Sequence, residues 1–495
     1  MLKTLIKIHF LVSGLMLISS ALAQSPNSSC LELSSMTLPN GLITSIEFIE
    51  AGTFDPPAAR DGDIYENLPD LCRVSATLSP VEESAIQIEV WLPAENWNNR
   101  LVAVGNGGLA GSISYSALAE ALLQGYAAVS TNTGHVGGTP EFLLSEARLS
   151  DFAHRAVHEM TLTAKQLVNS HYQSAPRFTY FNGCSTGGRQ ALTAAQRYPQ
   201  DFDGIIAGAP ANSTVRMTMQ QLWNSRIVND TPGLQLDATD FENLHASVMA
   251  SCDALDGLRD GIIENPATCP AEPADVLVLN QLEIEAIQKI YQGAVNPDTG
   301  EVIFPGFAKG SELGWTAMVR AEPFGYSSAM QAYVVNQDPD WDFMNLDFSR
   351  DLSILDQRMN ALGMQAIDPD ITDFIENGGK LLLYHGWNDP LISPFNSINY
   401  YNEVLATTGN AASDSVRLFM MPAVNHCSGG NGFDTWNKLQ ELDAWLTQGE
   451  APERIDATRQ IDGETNASRP LCAYPQVAVF TGNGNPAEAT NFECR

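Results

Sequence analysis

The sequence predicts an α/β fold, a largely parallel sheet with helices on both faces and one large insertion. Three observations predict it. From Ile86 onward, short apolar strand-like runs alternate with helix-like stretches. One strand-to-helix junction carries Gly183-x-Ser185-x-Gly187. The alternation stops near Ala211 and resumes at Lys380.

Taken in order, Met1–Ala23 has the pattern of a secretory signal: Lys3 and Lys7, an apolar run through Ile18, then Ala21-Leu22-Ala23 before Gln24. An N-terminal segment leads to the alternating strand Ile86–Pro93. Leu101–Val104 is a buried strand ending in Gly105-Asn106-Gly107-Gly108. A helix near Ser116–Gln124, a strand at Tyr126–Ser130, the loop Thr131–His135 and a long helix over about Phe152–Ser170 follow. Arg177–Phe181 is a strand, and Gln190–Arg197 a helix stopped near Pro199. Gly204–Pro210 is the next strand. Ala211–Asp370 has polar helices, several aromatics and few strands, and is expected to form a lid over the strand ends. Strands return at Lys380–Gly386 and Val416–Met421, and Trp436–Gln448 is an amphipathic helix. The domain reading is a signal at 1–23, a core at 24–210 and 371–495, and a lid at 211–370.

The strand–Gly183-x-Ser185-x-Gly187–helix junction is a nucleophile elbow, which specifies an α/β-hydrolase core. A serine hydroxyl needs a base to remove its proton, and a histidine base needs a carboxylate to fix its tautomer. In this fold the chain order is Ser, then acid, then His, on loops after late strands. The loop after Lys380–Gly386 supplies Asp389, and the loop after Val416–Met421 supplies His426. His385 lies at a strand end four residues from Asp389, where a structural hydrogen bond is expected. His135 follows an early strand, the wrong place for the base. His154, His158 and His171 fall in or near a helix and are assigned to packing or surface. The oxyanion of acyl transfer needs two N–H donors. One is the Thr186 amide at a helix N-terminus, and the other comes from the glycine loop, at Gly108.

The formal net charge is −32, and loss of Lys3 and Lys7 with the signal takes it to −34. Such a chain is unsuited to nucleic acid or anionic membrane, and no other stretch is long and apolar enough to span a bilayer. Small-molecule substrates remain. Eight cysteines in an exported chain imply disulfides. Proximity suggests Cys30–Cys72, Cys252–Cys269 and Cys472–Cys494, which leaves Cys184 beside the serine and Cys427 beside the histidine. The run Cys252–Asn265 holds Asp253, Asp256 and Asp260 among glycines, a composition equally suited to Ca²⁺ and to a solvated acidic turn.

Together, Gly183-Cys184-Ser185-x-Gly187-Gly188-Arg189, His385-Gly386-Trp387-x-Asp389 and Asn425-His426-Cys427-Ser428-Gly429-Gly430 resemble the tannase/feruloyl esterase family, whose members include terephthalate monoester hydrolases. Trp97-Asn98 and Arg469-Pro470-Leu471-Cys472 also look like the family. The resemblance implies a serine carboxylic ester hydrolase with Ser185, Asp389 and His426 as triad and a Cys184–Cys427 bridge. It implies a structural calcium in the lid on Asp253, Asp256 and Asp260 and the carbonyls of Leu258 and Ile262, no organic cofactor, and an aromatic ester substrate for a secreted or periplasmic enzyme. A serine peptidase on the same core, or a non-catalytic calcium-dependent binding protein, are the rival readings.

Overall fold

Strand Phe178–Cys184, which leads into Ser185, lies inside a nine-stranded sheet in the computed structural model, which describes residues 26–57 and 62–495. The proposed signal, Met1–Ala23, lies outside the described residues. In chain order the strands are β1 (Gly41–Ile49), β2 (Leu71–Leu78), β3 (Ile86–Pro93), β4 (Arg100–Val104), β5 (Ala127–Thr131), β6 (Phe178–Cys184), β7 (Gly204–Gly208), a short hairpin of β8 (Gly293–Val295) and β9 (Val302–Pro305), then β10 (Lys380–Gly386) and β11 (Val416–Met421). The main sheet runs β1-β2-β3-β5-β4-β6-β7-β10-β11. Its first three strands and the β3–β5 pairing are antiparallel. All pairings from β5 to β11 are parallel.

A parallel sheet is covered on both faces, and its strands are apolar throughout. Alternate residues of the central strands enter two cores. Leu101, Ala103, Phe181, Ile205, Leu381 and Leu383 pack on one face. Val102, Val104, Tyr180, Ile206, Leu382 and Tyr384 pack on the other. The structure adds β1 and β2, which the N-terminal segment did not reveal at sequence level. It places the helix after Ser185 at Thr186–Arg197, four residues earlier than expected. The last amphipathic helix begins at Lys438 rather than Trp436.

Between β7 and β10 the chain leaves the sheet. Helices Thr214–Asp230, Ala238–Cys252, Gln281–Gln292 and Arg350–Ala361 and the β8–β9 hairpin build two further apolar cores, one of them shared with Phe142, Leu149 and Phe152 from the segment after β5. A C-terminal hairpin, β12 (Arg454–Ile461) with β13 (Glu464–Cys472), follows. Four disulfides join Cys30 to Cys72, Cys184 to Cys427, Cys252 to Cys269 and Cys472 to Cys494. Among the described residues no helix is long and apolar enough to cross a membrane.

Candidate active site

The carboxyl ends of the parallel strands carry the site, as open α/β sheets generally arrange. Ser185 stands between β6 and the helix Thr186–Arg197 with φ 64° and ψ −120°. A non-glycine residue holds such a backbone only where its surroundings impose it. Here Ser185 N–H donates to Gly208 O at 3.0 Å, and Ser185 O accepts from Arg189 and Ala211, both at 3.0 Å. The turn also requires Gly183, since a Cβ there would lie 2.7 Å from the Gly187 backbone. Beneath it, the fully buried Arg189 guanidinium donates to Ala153 O at 2.7 Å and Phe152 O at 3.1 Å, anchoring the elbow helix.

Asp389 and His426 come from adjacent loops after β10 and β11. Those loops are fastened by Trp387 N–H to Met421 O and Asn388 N–H to Val424 O, both 2.9 Å. Gly386 permits the approach: a Cβ there would sit 2.3 Å from Val424 O. His426 Nδ1–H donates to Asp389 Oδ2 at 2.6 Å. Asp389 is fully buried, and its other oxygen accepts the amides of Leu391 (2.8 Å) and Ile392 (3.0 Å). Burial alone would push this carboxyl up. The His426 charge and the hydrogen bonds from His385 and His426 outweigh it and hold the acid well below the usual carboxylate range. Burial pulls the His426 imidazole down, but the Asp389 charge and hydrogen bond prevail and leave it above 6.5.

Ser185 and His426 line one cavity of about 470 Å³, and the Cys184–Cys427 bridge between their neighbours spans 6.0 Å between Cα atoms. Gly105, Asn106, Gly107, Gly108 and Thr186 line it on the core side. Asn106 is fixed by Nδ2–H to Thr131 O (2.8 Å), and its Oδ1 accepts from Gln190 Nε2 (3.0 Å). The insertion contributes Met217, Gln221, Phe324 and Tyr326, and the loop after Asp389 contributes Leu391 and Ile392. These six residues were not predicted. They come from segments far apart in sequence, and no local signal joins them.

Three other histidines have partners of their own. His135 stacks on Phe142 at 3.6 Å and donates to Leu109 O at 2.7 Å, away from Asp389. His154 meets the Tyr198 hydroxyl and His158 meets Asp201, each at 2.7 Å. His385 makes a structural hydrogen bond, as expected: its Nε2–H reaches Asp389 Oδ2 at 3.0 Å.

The Asp-rich run follows the helix Ala238–Cys252. Asp253 Oδ1 accepts the amides of Asp260, Gly261 and Ile262 at 3.0–3.3 Å, and Asp260 pairs with Arg469. Asp256 Oδ1 accepts from Leu258 N–H at 2.9 Å, while its Oδ2 is buried without a partner. Among the described residues, no three His, Cys, Asp or Glu side chains converge as a metal-holding group. The buried, unpartnered Asp256 Oδ2 is the observation in this run that points to a cation.

The family model for tannase and feruloyl esterase matches residues 72–495. The chain is 33% identical to a feruloyl esterase B of Aspergillus niger, over 86% of this chain and 87% of that one. It is 32% identical to a probable feruloyl esterase B-2 of Aspergillus terreus, over 98% and 99%. The crystal structure of feruloyl esterase B from Aspergillus oryzae superposes with a TM-score of 0.87 at 27% identity, covering 95% of this chain and all of that one. An α/β-hydrolase core, an Asp–His pair and an elbow serine on one cavity, and similarity along nearly the whole chain lead to one assignment: this chain belongs to the tannase and feruloyl esterase family and is a carboxylic ester hydrolase.

Proposed function

We propose that the chain is an exported serine esterase that cleaves esters of uncharged aromatic acids, phenolic acids above all, through an acyl-enzyme. Ser185 Oγ attacks the ester carbonyl while His426 Nε2 takes its proton. Asp389 holds Nδ1–H on the other side of the ring and stabilises the imidazolium. The amides of Gly108 and Thr186 receive the oxyanion. His426 then protonates the leaving alcohol, and a water deprotonated by the same nitrogen releases the acid and frees Ser185. The cavity supports the choice of acid. Apart from Gln221, the residues that the insertion and the Leu391–Ile392 loop bring to it are apolar or aromatic, which suits a planar ring. Among the described residues its lining includes no Lys or Arg, so the second carboxylate of a terephthalate monoester would be desolvated without a partner. Four disulfides are in keeping with export.

The same reading includes a structural Ca²⁺ in the insertion. Asp256 and the carbonyls of Leu258 and Ile262 would hold it together with Asp253 and Asp260, which here engage backbone amides and Arg469, and the unpartnered Asp256 oxygen supports this. The ion would fasten the loop; no chemical step uses it.

The test is a panel of methyl ferulate, a gallate ester, dimethyl terephthalate and monomethyl terephthalate, with the Ser185→Ala variant alongside. We expect the three uncharged esters to be cleaved, monomethyl terephthalate to lag, and Ser185→Ala to be inactive yet folded. Turnover by Ser185→Ala near that of the parent would refute the mechanism. Preferred cleavage of the charged monoester would refute the assignment of the acid.

A further inference from the structure

We propose that His385 is a positioning residue for the reaction: its Nε2–H, held in that tautomer by Ser397, steadies the Asp389 oxygen that serves His426 and tempers the pull of that oxygen on the imidazolium. This rests on the assignment of Ser185, Asp389 and His426 made above.

The tautomer follows from the partners. His385 is fully buried. Its Nε2 faces two acceptors, Asp389 Oδ2 at 3.0 Å and Ile392 O at 3.1 Å. A bare nitrogen there would set a lone pair against two others, so Nε2 carries the hydrogen. Its Nδ1 faces Ser397 Oγ at 2.7 Å, near the start of the helix Pro394–Thr408. A hydroxyl can donate to that bare nitrogen, and Ser397 is itself fully buried, so no water competes for it.

Asp389 then has a complete set of donors. An ionised carboxylate offers about four lone-pair positions. The Leu391 and Ile392 amides occupy Oδ1, and His426 and His385 share Oδ2. These four groups, from its own loop, the β11 loop and the end of β10, are the ones that meet the carboxylate. With His385 removed, Oδ2 is held from one side only, and the carboxylate can rotate off the line to His426 Nδ1.

The second consequence is electrostatic. The His385 N–H dipole points its positive end at Oδ2, the oxygen that also accepts from His426. Sharing Oδ2 with His426, this N–H stabilises the ionised acid and weakens its attraction for a proton on His426. Loss of the dipole raises the pH at which His426 becomes neutral and able to act as base. A histidine that merely filled space would not have this effect.

Three measurements test the proposal. In the wild-type enzyme at pH 7, imidazole ¹⁵N shifts should show His385 protonated at Nε2 and bare at Nδ1; the opposite tautomer overturns the proposal without any variant. His385→Leu should lose kcat by about 10- to 100-fold with little change in KM, and the acidic limb of its kcat/KM–pH profile should move to higher pH. His385→Gln, which restores an N–H donor, should recover part of kcat and return the limb towards wild type. Ser397→Ala, a milder change, should move the limb in the same direction by less. An unmoved limb in both His385→Leu and Ser397→Ala overturns the proposal, whatever happens to kcat. Ser185→Ala separates the two levels: if it stays active, the triad assignment fails. If it is inactive while the His385 and Ser397 variants behave as wild type, only the role of His385 fails.

Discussion

The Thr186 hydroxyl donates to Gly108 O at 2.7 Å, joining the residue after the elbow serine to the glycine loop that follows β4. The two residues proposed to supply the oxyanion amides are thus tied to each other by a side chain. The tie fixes the separation between the two loops, whose residues Gly108 and Thr186 both line the cavity. Thr186→Val keeps the shape and removes the hydroxyl. We expect kcat to fall by about 10-fold, less than the roughly 10²- to 10³-fold cost of deleting an oxyanion donor outright. Thr186→Ser should stay close to the parent enzyme. Equal kcat for the Val and parent enzymes would show that the tie is dispensable.

Activity should be lost on the acidic side at a pH set by His426. The base works only when neutral. Asp389 raises the imidazole above 6.5, because its charge and hydrogen bond outweigh burial. A raised histidine stays protonated to higher pH, so kcat/KM should fall below an apparent pKa that itself lies above 6.5. Asp389 remains ionised throughout this range, since its own pKa is depressed. A kcat/KM profile that is flat down to pH 5 would contradict the pairing.

The strand–Ser185–helix turn and the two loops that bring Asp389 to His426 were legible because each is announced locally. Gly183-x-Ser185-x-Gly187 needs only a strand before it and a helix after it, and Asp389 and His426 each follow a recognisable apolar strand. The three local disulfides were legible from spacing, and the Cys184–Cys427 bridge from the remainder. What escaped notice depends on three-dimensional convergence. Gln221 and Tyr326 meet at one cavity only because the helix Thr214–Asp230 packs against a segment a hundred residues away. The Thr186–Gly108 tie spans 78 residues. In the Asp-rich run, composition suggested three converging carboxylates. Backbone amides and Arg469 engage two of them, a pairing with β13 that no spacing rule foretells.

Chelation should act on stability before chemistry. A cation bound at Asp256 in the folded chain alone stabilises it by mass action, by about 2.7 kcal/mol at a free concentration of about 100 Kd. We expect EDTA to lower the melting temperature, Ca²⁺ to restore it, and Asp256→Asn to blunt the response. Turnover below the transition should change little, because the loop supplies no group to the cavity. A melting curve indifferent to EDTA, with no Ca²⁺ found in the purified protein, would refute calcium binding.

The Cys184–Cys427 bridge should matter more to turnover than to folding. It closes a loop with a sequence separation of 243, the longest of the four. On chain-entropy grounds such a closure stabilises by about 5 kcal/mol, a figure that native strain commonly reduces. The core around it is large and well buried, so the double variant Cys184→Ala/Cys427→Ala should still fold at moderate temperature. Its effect on geometry is sharper. Cys184 precedes the nucleophile and Cys427 follows the base, and Cys427 itself holds φ at 67°. Asp389 can steady the His426 ring through Nδ1, but it does not fix the height of the β11 loop over Ser185. The bridge does. A misplacement of about 1 Å between the reacting groups can cost about 10²-fold in rate. We therefore expect the double variant, assayed well below its melting temperature, to lose kcat by about that factor while KM changes little. Serine labelling by a fluorophosphonate should slow in parallel, because that reaction needs the same proton transfer. A folded double variant with full kcat and normal labelling would show that packing alone aligns the two loops.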